Sequence, residues 1–329
     1  MKKVLCFALT TIMIFSFGVF TGCNKKQTEA LSFGLGIISD IDNLKSAKDG
    51  KNGQGELSSI AAAVLVDSNG KIVKCTIDSF ETSLAFSSKG KYIALNDFKT
   101  KKEKGNDYGM VKYGGAKKEW YEQVDILTKI IEGKTMQDVK ALVATNGKGK
   151  DDVINAGCTI TVSDFIRAVL KAVNNAKNSK SDATDKLNIG ISVSQSGSNA
   201  ENKKAGTNEV EADICAMTID QNGKITASIT DAFGASVSFD KNGVLTAVPD
   251  KNIPTKLELG DSYGMVEHGN AKKEWYAQAK EFDSECIGKT YDRIGALVSK
   301  NGKGNDALIN AGCTINLSNI VKAALKAAK

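Results

Sequence analysis

Histidine is nearly absent from this sequence of 329 residues, which contains only His268. Zinc centres and nucleophilic triads usually need histidine as a ligand or a base, so both kinds of site have little support. The sequence also has no Cys-x-x-Cys pair. No Ser/His/Asp set or pair of carboxylates stands out, which argues against a hydrolase.

A basic stripe is also missing. The formal net charge is +6 at pH 7, from 44 basic against 38 acidic residues. The lysines are scattered through turns and helix faces, and the short basic run over 99–104 includes Glu103. This pattern is typical of a solvated surface, so nucleic-acid binding is not expected.

The first 30 residues have the pattern of an export signal. Lys2 and Lys3 precede an apolar run over 4–20, which ends in Phe20-Thr21-Gly22-Cys23. This predicts a signal peptide over 1–22 that closes in a lipobox, since the run is short for a membrane span of about 20 residues. We expect lipidation of Cys23, a polar tether over 23–30, and anchoring at the extracellular face of the cytoplasmic membrane.

The main feature of the remaining chain is an internal repeat. Ala-Gly-Cys-Thr-Ile at 156–160 returns at 311–315, and each copy is preceded in the same order by Asn-Gly, Tyr-Gly-Met and Lys-Glu-Trp-Tyr segments. The sequence therefore predicts two domains, over 31–173 and 187–329, each near the usual domain size of about 100–150 residues. A polar linker is expected over 174–186.

Each repeat carries strand patterns first and helix patterns later, which predicts an α+β fold with an antiparallel sheet and packed helices in each repeat. A first strand is expected over 31–36. Asn69-Gly70 and its counterpart Asn222-Gly223 lie between alternating runs, which predicts type I′ hairpin turns. Both features place the sheet in the first half of each repeat.

The helix patterns of the first repeat are well defined. Trp120, Val124, Leu127 and Ile131 recur at helical spacing, which predicts an amphipathic helix over 116–132. A second helix is expected over 136–144 with Thr135 as its N-cap, and a last one begins after a Ser163 cap. The tryptophans of both repeats are expected to anchor the core rather than to stack on a ligand.

The cysteines do not form a disulfide framework. After Cys6 and Cys23, five remain, at positions Cys75, Cys158, Cys215, Cys286 and Cys313. Only Cys158 and Cys313 are equivalent between the repeats, so one disulfide per domain is excluded. These two are expected to be buried as small hydrophobic residues. The roles of the other three are left open.

The ordered segments resemble the FMN-binding domains of Rnf-type and sodium-pumping quinone reductase complexes and of bacterial surface lipoproteins. Those domains carry Ser/Thr-Gly-Ala-Ser/Thr, whose last hydroxyl a dedicated flavin transferase esterifies with FMN phosphate. The likeness is closest to two-domain Gram-positive lipoproteins of flavin-based extracellular electron transfer. It covers nearly all of the chain after Cys23.

The resemblance implies two covalent FMN groups per chain, in phosphoester linkage to Thr159 and Thr314. It implies further flavin-binding residues around them, namely Gly157, Cys158, Gly312, Cys313, Tyr108, Met110, Tyr263 and Met265. The sequence departs from the family tetrapeptide at its first and third positions, which are alanine and cysteine here. The following hydroxyl residue is Thr161 in the first copy, where the second has Asn316.

The resemblance further implies an electron carrier rather than an enzyme. Electrons would pass from a membrane quinol-linked donor to acceptors outside the cell, and the flavin transferase and the membrane would be further partners. The residues leave one alternative open, a two-domain surface lipoprotein that binds a ligand or host molecule through unmodified threonines. A mass spectrum distinguishes the two.

Overall fold

The computed structural model describes residues 31–95 and 98–329. The predicted signal peptide, Cys23 and the tether lie outside these residues. In the part of the chain that is described, no helix is long and apolar enough to cross a membrane.

The first repeat is a sheet followed by helices. Its strands are β1 (Ser32–Lys45), β2 (Gln54–Val66), β3 (Ile72–Ser83), β4 (Ala85–Phe86), β5 (Tyr92–Ile93) and, after the helices, β6 (Lys177–Asn178). Its helices are α1 (Lys101–Lys104), α2 (Trp120–Ile131), α3 (Met136–Lys140), α4 (Asp151–Asn155) and α5 (Ser163–Asn175). The main sheet is antiparallel in the order β3-β2-β1-β6.

The second repeat has the same order of elements. Its strands are β7 (Lys186–Ser198), β8 (Gly206–Ile219), β9 (Ile225–Phe239) and β10 (Leu245–Ala247), in the sheet order β10-β9-β8-β7. Its helices are α6 (Lys256–Leu259), α7 (Trp275–Cys286), α8 (Tyr291–Ile294), α9 (Asp306–Asn310) and α10 (Ser318–Ala327). The predicted α+β class, with an antiparallel sheet and helices in each repeat, is confirmed.

The two sheets pack face to face. Successive residues of β2 point to opposite faces of the sheet. The central cluster takes Ala61, Ala63 and Leu65, and the outer cluster under the helices takes Ala62, Val64 and Val66. The rings of Phe80 and Phe233 stack across the repeats at 6.1 Å, and those of Phe86 and Phe239 at 4.4 Å. The order of layers is therefore helices, sheet, sheet, helices, with a core that both repeats build.

The last helix of each repeat lies directly on its first strand. A Cβ atom at Gly34 would lie 2.0 Å from the carbonyl oxygen of Ala172 in α5, and one at Gly190 equally close to that of Ala323 in α10. Only glycine permits this approach of helix backbone to strand. The contact holds each last helix against the first strand of its repeat.

The segment predicted as a linker has structure of its own. Helix α5 extends to Asn175, and β6 pairs with the start of β1. Ser181 is buried, and its hydroxyl lies 2.7 Å from that of Thr218 in β8. The connection is thus bonded to both sheets.

The predicted type I′ turns are wrong. Gly70 and Gly223 both have a φ of 75°, but neither preceding asparagine has a positive φ. The reason is an aspartate that opens each five-residue loop. The Asp67 carboxylate accepts hydrogen bonds from the amides of Asn69 and Lys71 at 2.9 and 2.8 Å, and Asp220 does the same in the second repeat.

Several predicted element boundaries are also wrong. The first strand does not end at residue 36 but continues to Lys45. The helix expected over 116–132 begins at Trp120, because the Glu119 side chain caps it. The helix expected over 136–144 ends at Lys140, because the Ala144 amide bonds to Lys148 in the following turn.

Of the two predicted N-caps, one is confirmed and one is wrong. Thr135 is confirmed as an N-cap, since its hydroxyl accepts from the Asp138 amide. Ser163 is wrong as a cap: it is the first helical residue of α5, and Val162 precedes it without a side-chain hydrogen bond. The predicted inward face of α2, with Trp120 at its start, is confirmed as buried.

Candidate functional site

The turn after α4 holds Thr159 on the surface. The side chain of Thr159 is exposed, whereas the preceding Cys158 is fully buried and anchors the turn in the core. The backbone amide and the hydroxyl of Thr159 both donate to Oε1 of Gln123, at 2.8 and 3.1 Å. A single buried oxygen of α2 thus fixes both the backbone and the side chain of this threonine.

The second repeat builds the same turn after α9. Thr314 is exposed, and its amide and hydroxyl donate to Oε1 of Gln278 at 2.7 and 3.2 Å. The amide of Ile315 adds a third hydrogen bond to the same oxygen at 3.1 Å. The two threonines therefore occupy equivalent positions, as the repeat predicts.

Sequence reasoning missed the two glutamines. Each is only 1% exposed and donates its amide hydrogens to a backbone carbonyl, of Lys118 at 3.0 Å and of Lys273 at 2.8 Å. The nitrogen and the oxygen of each side-chain amide are both hydrogen-bonded, so each oxygen is held in place. A signal was available, since Gln123 and Gln278 both stand three residues after the repeated tryptophan.

The glycine before each buried cysteine is required by the backbone. Gly157 has a φ of 107° and Gly312 a φ of 90°, a region that side chains with a Cβ rarely adopt. A Cβ at Gly157 would also lie 2.9 Å from Cε of Lys118, and one at Gly312 would lie 3.1 Å from Cε of Lys273. A lysine stem therefore covers the threonine turn in both repeats.

A buried glutamate joins the Tyr-Gly-Met segment to α2. The carboxylate of Glu119 accepts from the amides of Met110 and Val111 at 2.9 and 3.0 Å. In the second repeat Glu274 accepts from Met265 and Val266 at 2.9 and 2.8 Å. These bonds explain why the two segments occur together in each repeat, and they bring both methionines to the helix that positions the threonine.

The tyrosine of each segment lies beside a buried lysine. The Lys101 ammonium lies 5.0 Å from the ring of Tyr108 and 5.6 Å from that of Trp120. The Lys256 ammonium lies 5.2 Å from the rings of both Tyr263 and Trp275. Tyr263 is 38% exposed, whereas both tryptophans are buried. The expectation that the tryptophans anchor the core is confirmed.

Apolar side chains are exposed at corresponding positions of both turns. Val111 and Ile154 in the first repeat, and Val266 and Ile309 in the second, are 37–47% exposed. The valine follows the methionine of each Tyr-Gly-Met segment, and the isoleucine carbonyl accepts from the glycine amide of each turn at 2.9 Å. An aromatic group attached at the threonine would have apolar surface close by.

The two sites lie on opposite outer faces of the molecule. Helices α2 and α5 cover the outer face of the first sheet, and α7 and α10 cover that of the second. Two stacked sheets, which pack about 10 Å apart, and their helix layers lie between the threonines. Each threonine therefore faces its own region of solvent.

The thiols beside the threonines are inert in this structure. Burial raises the pKa of both Cys158 and Cys313 to about 11, so both remain protonated at neutral pH. The other cysteines of the described chain, Cys75, Cys215 and Cys286, are also free and buried. The expectation that Cys158 and Cys313 are buried as small hydrophobic residues is confirmed.

Comparisons with known proteins leave the family open. No family model matches the chain, and no solved structure does. A chlorophenol reductase of Desulfitobacterium hafniense is 33% identical over 121 residues, which cover 32% of this chain and 36% of that protein. The similarity is thus distant and partial, and this chain spans only about a third of the length of that relative.

Proposed function

We propose that this protein is a membrane-anchored surface lipoprotein that carries covalent FMN on Thr159 and Thr314 and acts as an electron carrier in flavin-based extracellular electron transfer. The observation that supports this most is the paired geometry. Two exposed threonines each donate an amide and a hydroxyl hydrogen bond to one buried glutamine oxygen. A binding module with unmodified threonines offers no reason to build this arrangement twice.

The residues around each threonine fit an esterified FMN. The glycine of the turn leaves its backbone uncovered by a Cβ, and Lys148 and Lys303 donate to the carbonyl oxygens of Thr159 and Thr314 at 3.3 and 2.8 Å. Their ammonium groups are thus near the position of a phosphate. FMN would supply reversible electron transfer, and the protein would supply its position and surroundings.

The chain does not activate its own threonine. Ester formation joins Oγ to the phosphorus of a flavin pyrophosphate donor, breaks the bond between that phosphorus and the leaving nucleotide phosphate, and releases the hydroxyl proton, which a base must take. The acceptor of the Thr159 hydroxyl hydrogen bond is the amide oxygen of Gln123, which is not a base. Gln123 and Gln278 therefore orient the hydroxyl, and the base belongs to the flavin transferase.

The remaining parts of the proposal concern the setting. Cys23 would carry the lipid, a membrane quinol-linked donor would reduce the flavins, and acceptors outside the cell would oxidise them. The protein would have no substrate of its own to turn over. The partial relative that is named a reductase is compatible with a redox role.

Intact-mass measurement after co-expression with a flavin transferase tests the proposal. The wild-type chain is expected to gain two FMN masses, Thr159→Ala and Thr314→Ala one each, and the double variant none while it remains folded. Thr184→Ala is the matched control, because Thr184 is an exposed threonine outside both tetrapeptide segments and its loss is expected to leave both FMN groups in place. Two FMN masses on the double variant would refute the assignment.

A further inference from the structure

The two attachment turns differ in one charge. Residue 126 in α2 and residue 281 in α7 are equivalent, since each lies six positions after the repeated tryptophan, but one is Ile126 and the other Glu281. The side chain of Ile126 would lie 3.4 Å from a Cβ at Gly157, so this position faces the attachment turn. The difference therefore falls beside the threonine.

In the second repeat the glutamate neutralises the lysine over the turn. The ammonium of Lys273 lies 2.7 Å from the Glu281 carboxylate and donates to the carbonyl of Ala311 at 2.7 Å. Both side chains are only about a third exposed, so solvent screens this ion pair incompletely. The Lys273 ammonium therefore already has an anionic partner, Glu281.

In the first repeat no carboxylate of the described residues forms an ion pair with the corresponding lysine. The stem of Lys118 packs against Gly157 as that of Lys273 packs against Gly312. Its ammonium makes no ion pair or hydrogen bond with any residue among 31–95 and 98–329. Two cations, Lys118 and Lys148, thus lie at the Thr159 turn, and within the described part of the chain no carboxylate pairs with Lys118.

We infer that Lys118 is a phosphate-binding residue of the first site, and that Glu281 removes the equivalent interaction from the second. This inference rests on the proposed function, because the phosphate is that of the ester on the threonine. A phosphodiester carries one negative charge. Lys118 would form a charge-assisted hydrogen bond with it, whereas Glu281 would repel it and hold Lys273 away. Loading with FMN should therefore stabilise the first site more than the second.

Thermal unfolding of single-acceptor proteins tests this. The Thr314→Ala and Thr159→Ala proteins are prepared with and without FMN, and the shift in Tm on loading is measured for each. The shift is expected to be about 2 °C larger when FMN is on Thr159, as one charge-assisted hydrogen bond would give in a chain of this size. Because exposed charges are screened, the excess should shrink at high salt.

Exchange of the differing residues shows whether this pair is responsible. Ile126→Glu and Lys118→Met should each remove the excess shift at Thr159, and Glu281→Ile should create it at Thr314. Lys117→Met is the control, since it removes an exposed neighbouring charge and should leave the shift unchanged. Each comparison is between loaded and unloaded forms of one variant, so effects of the substitution on the unmodified fold cancel.

The outcomes separate the two hypotheses. Equal shifts at both threonines, unaffected by these exchanges, would overturn the role of Lys118 while leaving covalent FMN in place. Failure of both single-acceptor proteins to gain an FMN mass would overturn the proposed function and this inference with it.

Discussion

Both repeats pair an equivalent buried lysine with a glutamate, but the glutamate stands on a different strand in each repeat. In the first repeat the buried Lys101 is paired with Glu81 of β3, and in the second the buried Lys256 is paired with Glu211 of β8. Glu211 corresponds to Ser58 of β2, which is the cross-strand partner of Glu81, and Gly234 is the partner of Glu211. The carboxylate thus comes from β3 in the first repeat and from β8, the equivalent of β2, in the second. In both repeats it pairs with the equivalent lysine.

This comparison shows which features the site requires. The lysine, its two aromatic neighbours and the threonine turn are equivalent in both repeats, whereas the source of the carboxylate is not. A cation with little exposed surface needs a negative partner close by, but that partner can come from either strand of the ladder. The repeats therefore share a spatial arrangement more strictly than they share a sequence.

The largest expected effect concerns the core that both repeats build. Phe233→Ala should lower the free energy of unfolding by about 3–5 kcal/mol, because it leaves a cavity between the sheets. Each repeat has one buried tryptophan, so Trp120→Phe and Trp275→Phe backgrounds report on the repeats separately in urea unfolding followed by fluorescence. Both signals should shift together.

A shift confined to the second repeat would show that the repeats unfold independently in spite of their stacked phenylalanines. Tyr113→Ala is the control, since this ring is 78% exposed and should make no difference to either signal.

A smaller effect is expected from a buried carboxyl that only the second repeat has. Burial and the nearby Glu211 raise the pKa of Asp213 to about 7, against the opposite effect of Lys256 and Lys322. Because this folded-state pKa lies above the unfolded one, the stability that Asp213 contributes is present below about pH 4 and is lost as the pH rises through 7. The equivalent residue in the first repeat is Ile60.

Asp213→Ile should therefore stabilise the protein by about 2 kcal/mol at pH 8, and by less at pH 3, where the carboxyl is mostly protonated in both the folded and the unfolded state. Urea unfolding of wild type and variant across this range measures the difference. A stability difference that does not change with pH would contradict the assignment of the titration to Asp213.

The smallest expected effect concerns the strand, β2 or β3, from which the carboxylate beside Lys101 comes. Glu81→Ser should cost about 1 kcal/mol, since it leaves Lys101 without its partner while the glutamate itself is half exposed. Adding Ser58→Glu should restore most of this loss by imitating the second repeat. Urea unfolding of the single and double variants measures it, with Ser58→Glu alone as the control. No recovery in the double variant would show that the two strands are not interchangeable here.

Much of the fold could be predicted from local pattern. The order of strands and helices, the inward face of α2 and the Thr135 cap depend on periodicity and on residues adjacent in sequence, and they are confirmed. The turn at Gly70 and the end of α3 were predicted wrongly because the Asp67 carboxylate and the Lys148 carbonyl accept from nearby backbone amides, which general turn and helix patterns do not take into account.

The candidate site, like the fold, could be predicted from the sequence only in part. Repetition identified the tetrapeptide, which stands out at equivalent places of two long repeats without any structure, and the family resemblance pointed to Thr159 and Thr314 within it. Neither signal identified Gln123 and Gln278, which lie 36 residues earlier in sequence and meet the threonines only in the folded chain.

The sequence by itself determined the repeat, the α+β class and the position of the two threonines, since these follow from periodicity and from residues compared along one chain. Only the tertiary structure decided that the two sheets form one core, that one glutamine oxygen holds each threonine, and that Glu281 forms an ion pair with Lys273. Those features depend on side chains far apart in sequence that meet across packed layers. Their distances are set by how the sheets and helices stack, which no local pattern records.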